Sequence, residues 1–160
     1  MAGYGTDEDF QAYAEEAGQT VPTAGLAALR QRGSAYIDGL YGARFSGVPT
    51  AGVQQERAWP RSGAMAFCQS IASDLVPLRV EQASYEAALI EARSPGSLSI
   101  VVDPSKRVKR QKVEGIEREF FDPGAGLDGS SIGPVSSVID GLLAPLLTPE
   151  PANIGLWSIG

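Results

Sequence analysis

Between two helix-like stretches stands Trp59-Pro60-Arg61, followed two residues on by Gly63. A proline fixes its own φ and lacks an N–H, and the residue before it is pushed away from helical conformation. The chain must therefore break here, and the break holds a large apolar side chain, a stiff ring and a permanent cation side by side. A tryptophan that buries ~150–250 Å² is suited to plug the gap between two helices. Pro60 would stiffen the turn, and Arg61 would pair with a helix C-terminus or an acid. The other reading offers Trp59 to a ligand. The expectation adopted is the plug, with Trp59, Pro60 and Arg61 as structural core.

The helices on either side follow from caps and periodicity. Thr6 can cap a helix over 6–17, with Asp7, Glu8 and Asp9 at the positive end of its dipole and Gly18 as its stop. Its stripe is Phe10, Tyr13, Ala14 and Ala17. Pro22 is placed as a first-turn proline for a longer helix to about Ala43, striped by Leu26, Leu29, Gly33, Ile37 and Leu40. Gly25, Gly33, Gly39 and Gly42 each weaken that helix by about 1 kcal/mol relative to Ala, so tertiary packing has to hold it. Residues 44–75 read as an irregular connection with a short helix near Ala64 to Ser73. Pro77 opens another helix from Leu78 to Ala92, on which Val80, Ala83, Ala87 and Ile90 recur at helical spacing.

Beyond Ser94-Pro95-Gly96 the pattern changes. Leu98 to Val102 is β-prone, and Lys106 to Phe121 reads as a hairpin turning at Glu114-Gly115. Setting Val113 opposite Ile116 puts Lys112 opposite Glu117, Arg110 opposite Glu119 and Val108 opposite Phe121. Two opposite-charge pairs across one register favour it by about 0.2–1 kcal/mol each. A Gly/Ser-rich linker over 122–133 leads to a last helix from Pro134 to about Leu147, which Pro145 should kink or end. Residues 148–160 begin Thr148-Pro149-Glu150-Pro151, which cannot continue a helix. The fold class expected is mainly α: a small helical bundle over 1–147 with an inserted β-hairpin at about 98–121 and an extended C-terminal arm over 148–160.

Composition narrows the function. The chain has no histidine, so the commonest general base at neutral pH is missing. Its single cysteine, Cys68, excludes an internal disulfide, has no basic neighbour to activate it, and is expected to be a small buried apolar side chain. Neither a Cys/His metal cluster nor the Lys and Ser/Thr of a phosphate loop after Gly124-Ala125-Gly126 is present. Glu15, Glu16, Glu81, Glu86 and Glu91 fall on faces expected to be solvated. No enzyme, no cofactor and no metal are expected. There is no basic, apolar leader and no apolar run of ~20 residues, as expected of a protein made and kept in a cytosol.

Charge is unevenly placed. The net charge is −6, yet residues 105–121 carry six basic and three acidic groups. Lys106, Arg107, Lys109, Arg110 and Lys112 lie on one predicted strand. They could grip a phosphate backbone, but that strand lacks the interleaved aromatics on which single-strand binders stack bases. A contact to a neighbouring protein or to passing DNA suits them better. Leu156, Trp157 and Ile159 would be an aggregation liability on a free arm; they could dock on the chain's own body or on a neighbour, and a partner-binding role is the expectation adopted.

One set of residues resembles a known family. Tyr36-Ile37-Asp38, Tyr41, Arg44-Phe45, Gly47, Gln54 or Gln55, and Ala58-Trp59-Pro60-Arg61-x-Gly63 are similar to phage proteins described as DnaT-like single-stranded-DNA-binding proteins. The similarity runs on through Val76-Pro77, Val80, Ala83, Glu86, Ala88-Leu89, Val108-Lys109, Lys112-Val113 and Ile139-Asp140-x-Leu142-Leu143, across about 6–147. The Ala64-Met65-Ala66-Phe67 stretch and the residues after Thr148 depart from it. The resemblance implies a head-to-tail adaptor (connector, or head-completion protein) of a tailed bacteriophage. Such proteins form a ring, usually a dodecamer, beneath the portal in the neck of the virion. The implied partners are the portal protein, the tail or next connector, other copies of the chain, and DNA passing through the lumen. Single-stranded-DNA binding is the competing implication.

Overall fold

The computed structural model describes residues 2–98, 110–113, 116–119 and 136–149; for 110–113 and 116–119 the backbone alone is described. The described chain is mainly α, with four helices and small two-stranded sheets.

Helix α1 spans Asp7–Glu16. The Thr6 hydroxyl oxygen accepts the Asp9 N–H at 3.1 Å, and Gly18 turns the chain away at φ 68°. Helix α2 spans Leu26–Tyr41. It starts later than Pro22 suggested because Gly25 sits at φ 89°, a left-handed conformation that no helix can run through. Helix α3 spans Leu78–Arg93, with Pro77 immediately before its first turn. Helix α4 spans Ser137–Leu143 and tightens into a 3-10 turn over Ala144–Leu146. The expected helix to Leu147 is cut short because Pro145 has no N–H to continue the ladder.

The 44–75 connection contains two miniature hairpins. Strands β1, Val48–Pro49, and β2, Arg61–Ser62, pair antiparallel, as do β3, Met65–Ala66, and β4, Gln69–Ser70. The second hairpin replaces the short helix expected near 64–73. Phe67 and Cys68 both adopt positive φ, 51° and 62°, and fold β3 back on β4. Strands β5, Arg110–Val113, and β6, Ile116–Glu119, form the expected hairpin. Arg110 lies opposite Glu119, Lys112 opposite Glu117 and Val113 opposite Ile116. The Val108–Phe121 pair, Ser99–Val102, the 122–133 linker and most of the arm lie outside the described residues.

α2 and α3 form the spine, with α4 packed on α3 and α1 laid across both. Gly33 makes the close approach possible: a Cβ there would collide with the Ser84 carbonyl oxygen. Two apolar clusters result. Ile37, Tyr41, Phe45, Trp59, Val80, Ile139 and Leu143 belong to one, and Phe10, Val21, Leu26, Tyr85 and Leu89 to the other. Trp59 is 2% exposed and meets Phe45 edge-on, with ring centroids 5.5 Å apart. Fully burying a side chain of Leu or Phe size contributes ~1.5–3 kcal/mol, which offsets the glycines of α2.

Candidate interaction surfaces

The Trp59 break is held from both sides. The Trp59–Pro60 peptide is cis. The Trp59 N–H donates to the Tyr4 hydroxyl at 3.1 Å, and that hydroxyl donates to Asp38 Oδ1 at 2.5 Å. Arg57 completes the chain with an ion pair to Asp38 Oδ2 at 3.3 Å, while its Nε reaches the Ala2 carbonyl at 2.9 Å. Burial first, and then the Asp38 carboxylate, raise the Tyr4 pKa well above the ordinary phenol value.

Arg61 collects carbonyls. Its Nε donates to Ser46 at 2.9 Å, Nη2 to Gly47 at 2.6 Å and Phe45 at 3.2 Å, and Nη1 to Ala58 at 3.2 Å. The Gly42 carbonyl, just past the end of α2, lies at 3.5 Å. The expected helix-end partner is thus one of five main-chain oxygens, and no carboxylate is needed. Arg30 works in the same way: Nη1 donates to Gly3, Tyr4 and Gly5, and Nε pairs with Asp7 at 2.7 Å. Arg30 was not singled out from sequence, because a polar residue on a helix gives no sign of which loop its side chain will reach.

Two further tyrosines tie elements together. Tyr13 donates to Glu86 at 2.8 Å and Tyr41 to Asp140 at 2.6 Å. In both, burial and then the bonded carboxylate raise the pKa. The expectation that the α3 glutamates are all solvated fails at Glu91, which is 5% exposed. Glu91 accepts from Arg32 at 3.2 Å and from the N–H groups of Gly96 and Leu98, so it caps the turn after α3. Its desolvation is offset by those three bonds.

The arginines of the helical body are therefore mostly turned to internal work. Residues 2–98 and 136–149 hold seven arginines and twelve carboxylates. Four of the arginines, Arg30, Arg32, Arg57 and Arg61, bind carboxylates or main-chain carbonyls of the body itself. The described residues hold no group of three or more His, Cys, Asp or Glu that could bind a metal, and no helix long and apolar enough to cross a membrane. Of the basic strand, Arg110 and Lys112 lie in β5, where both face glutamates of β6 in register. Lys106, Arg107 and Lys109 lie outside the described residues, as do Leu156, Trp157 and Ile159.

What the body does present is apolar. Its exposed large hydrophobic residues are Val48, Val53, Met65, Phe67, Leu75, Leu78 and Val138, all but the last within the connection and the first turn of α3. Phe67 stands at the tip of the β3–β4 hairpin, 69% exposed, with the Arg79 guanidinium 5.6 Å from its ring centre. Cys68 beside it is exposed, against the expectation of burial, because a tight turn points both of its central side chains outward. A cleft of about 450 Å³ is lined by Arg44, Asp140, Ala144, Leu147, Thr148 and Pro149. Thr148 is bonded to the Arg44 carbonyl through both its N–H (2.8 Å) and its hydroxyl (2.9 Å), so the start of the expected arm is fastened to the body.

A family model described as "Putative DnaT-like ssDNA binding protein" matches residues 2–156. The chain belongs to that family, which is phage-associated. No match is found among curated proteins or among solved structures.

Proposed function

We propose that this member of the DnaT-like phage family is a structural head-to-tail adaptor, a subunit of a ring below the portal through which DNA passes. The observation that carries the reading is the way the body spends its charge. Its arginines are largely committed to carbonyls and carboxylates within the fold, so the surface it presents is acidic and apolar. An acidic wall repels phosphates and lets DNA slide, while exposed apolar side chains suit protein contacts. Rings need heterologous interfaces, and a basic hairpin against an acidic body supplies two unlike surfaces. In this reading Lys106, Arg107, Lys109, Arg110 and Lys112 make a ring or DNA-channel contact, and Leu156, Trp157 and Ile159 engage the portal or an adjacent subunit.

The family description favours a second reading, single-stranded-DNA binding, and the comparisons speak for it more directly than for an adaptor. Its cationic surface would be the same basic strand. One experiment separates the two: the native mass of the protein alone and with the portal protein, alongside titration with a single-stranded oligonucleotide. An adaptor gives a discrete ring or a portal complex and binds the oligonucleotide weakly. A single-strand binder stays a small oligomer and binds it with an affinity that falls steeply as salt is raised. Reversing Lys106, Arg107 and Lys109 to Glu should impair ring assembly in the first case and oligonucleotide binding in the second, leaving the body folded in both.

A further inference from the structure

The β3–β4 turn breaks the usual rules for its position. A two-residue turn with positive φ at both central positions is the place for Asn-Gly, because side chains crowd the backbone there. This chain instead has Phe67 and Cys68, at φ 51° and 62°. Backbone strain of this kind persists where a side chain has a task. The turn holds an aromatic ring 69% exposed, with Arg79 beside it and with Met65 and Leu78 also exposed nearby in the chain. A large apolar tip held in water at a conformational cost needs an occupant.

We infer that the occupant is the chain's own segment Ile154–Ile159, which docks on Phe67 and Met65 through Leu156 and Trp157. Three observations point to this segment. Its exit point is adjacent: Thr148 is fastened to Arg44, and two residues on, the Ser46 hydroxyl bonds the main chain of Met65 at 3.0 and 3.1 Å. β3 itself lies against Ala144–Leu146. Its length is sufficient, since the seven steps from Pro149 to Leu156 reach about 23 Å when extended. Its chemistry is complementary, because Ile154, Leu156, Trp157 and Ile159 are apolar and the segment carries no cation to repel Arg79. A tether this short also gives an effective concentration of order mM, so at micromolar protein the segment's own hairpin outcompetes a neighbour's. In the free subunit the 154–159 segment thus covers the Phe67 tip, and it engages the portal or an adjacent subunit only on assembly.

Cys68 supplies the test, as the chain's single cysteine and an exposed one. Bimane attached to Cys68 is quenched by a tryptophan in contact. The other tryptophan, Trp59, is buried in the core. Docking requires that Trp157→Phe raise the fluorescence of the labelled full-length protein severalfold, and that the quenching be unchanged on tenfold dilution. Equal fluorescence with and without Trp157 overturns the inference. So does quenching that appears only when labelled Trp157→Phe chains are mixed with unlabelled Cys68→Ser chains, which would make a second copy the occupant. Because the label sits on the turn, the alkylation rate of the unmodified thiol is a second readout. It should rise severalfold in Trp157→Asp, and an unchanged rate counts against docking. Native mass is measured separately, so loss of the adaptor reading leaves this result standing.

Discussion

Two tight turns a few residues apart in one connection have opposite fates. At Trp59–Arg61 the chain turns inward. The indole is buried, the main chain is gripped by Tyr4, and one guanidinium satisfies carbonyls from Gly42 to Ala58. At Phe67–Cys68 the chain turns outward and holds its aromatic outside the helical body. Both turns place an aromatic near an arginine. What differs is whether main-chain oxygens converge there. Arg61 has five within reach and becomes part of the body, whereas Arg79, among the described residues, lies over the Phe67 ring. An Arg–aromatic pair is core where the backbone wraps round it and surface where it does not.

Breaking the inward turn should have the largest effect. Trp59→Ala removes the plug between α2, α3 and α4, and should cost about 3–5 kcal/mol by denaturant titration. An unchanged unfolding midpoint would remove the distinction between the two turns. Arg61→Met keeps the stem but strands several buried carbonyls, and should cost about 3 kcal/mol. Burial lowers the Arg61 pKa, as expected of a cation withdrawn from water, yet its carbonyl partners keep the site in use.

A pH titration tests the ties around the inward turn. The folded pKa values of Tyr4, Tyr13 and Tyr41 are raised above the ordinary 10.0 by burial and by their carboxylate partners. Tyr85 is pushed up to about 12, by burial and then by Glu81 and Asp9. A group whose folded pKa is raised stabilises the fold fully below its unfolded pKa, and the contribution is lost as pH rises through the folded value. Stability should therefore hold to about pH 10 and fall above it, with tyrosinate absorbance appearing together with loss of helix. Tyrosinate that appears well before the helices melt would show that the ties are loose.

The smallest effect has the opposite sign. Replacing Phe67-Cys68 by Asn-Gly gives the β3–β4 turn the residues its dihedrals favour. In a chain truncated after Pro149, where residues 154–159 cannot cover the turn, it should stabilise the body by up to ~1 kcal/mol in chemical denaturation. A loss of stability would mean that Phe67 packs on the body, and the contrast with Trp59 would close.

The helices, their stripes and the β5–β6 register were legible because each rests on local spacing: Thr6 and Gly18, the Val80–Ala87 stripe, Lys112 against Glu117. The β3–β4 hairpin was not, since Ala64-Met65-Ala66-Phe67 has good helix formers and the turn uses residues that do not advertise positive φ. Arg30, Glu91 and the three tyrosine ties were missed because each joins positions far apart in sequence, 99 residues apart for Tyr41 and Asp140. Cys68 was misjudged because a small thiol takes its burial from the backbone that carries it.

That Tyr41–Asp140 bond has one more consequence. With Ile139, Leu143 and the Arg44–Thr148 bonds, it returns the chain to the spine after the excursion that leaves α3. Closing such an excursion costs entropy that grows only with the logarithm of its length, about 0.6 kcal/mol for each doubling. For closure alone, doubling the chain between Leu98 and Ser136 should therefore cost the seating of α4 only about 0.6 kcal/mol.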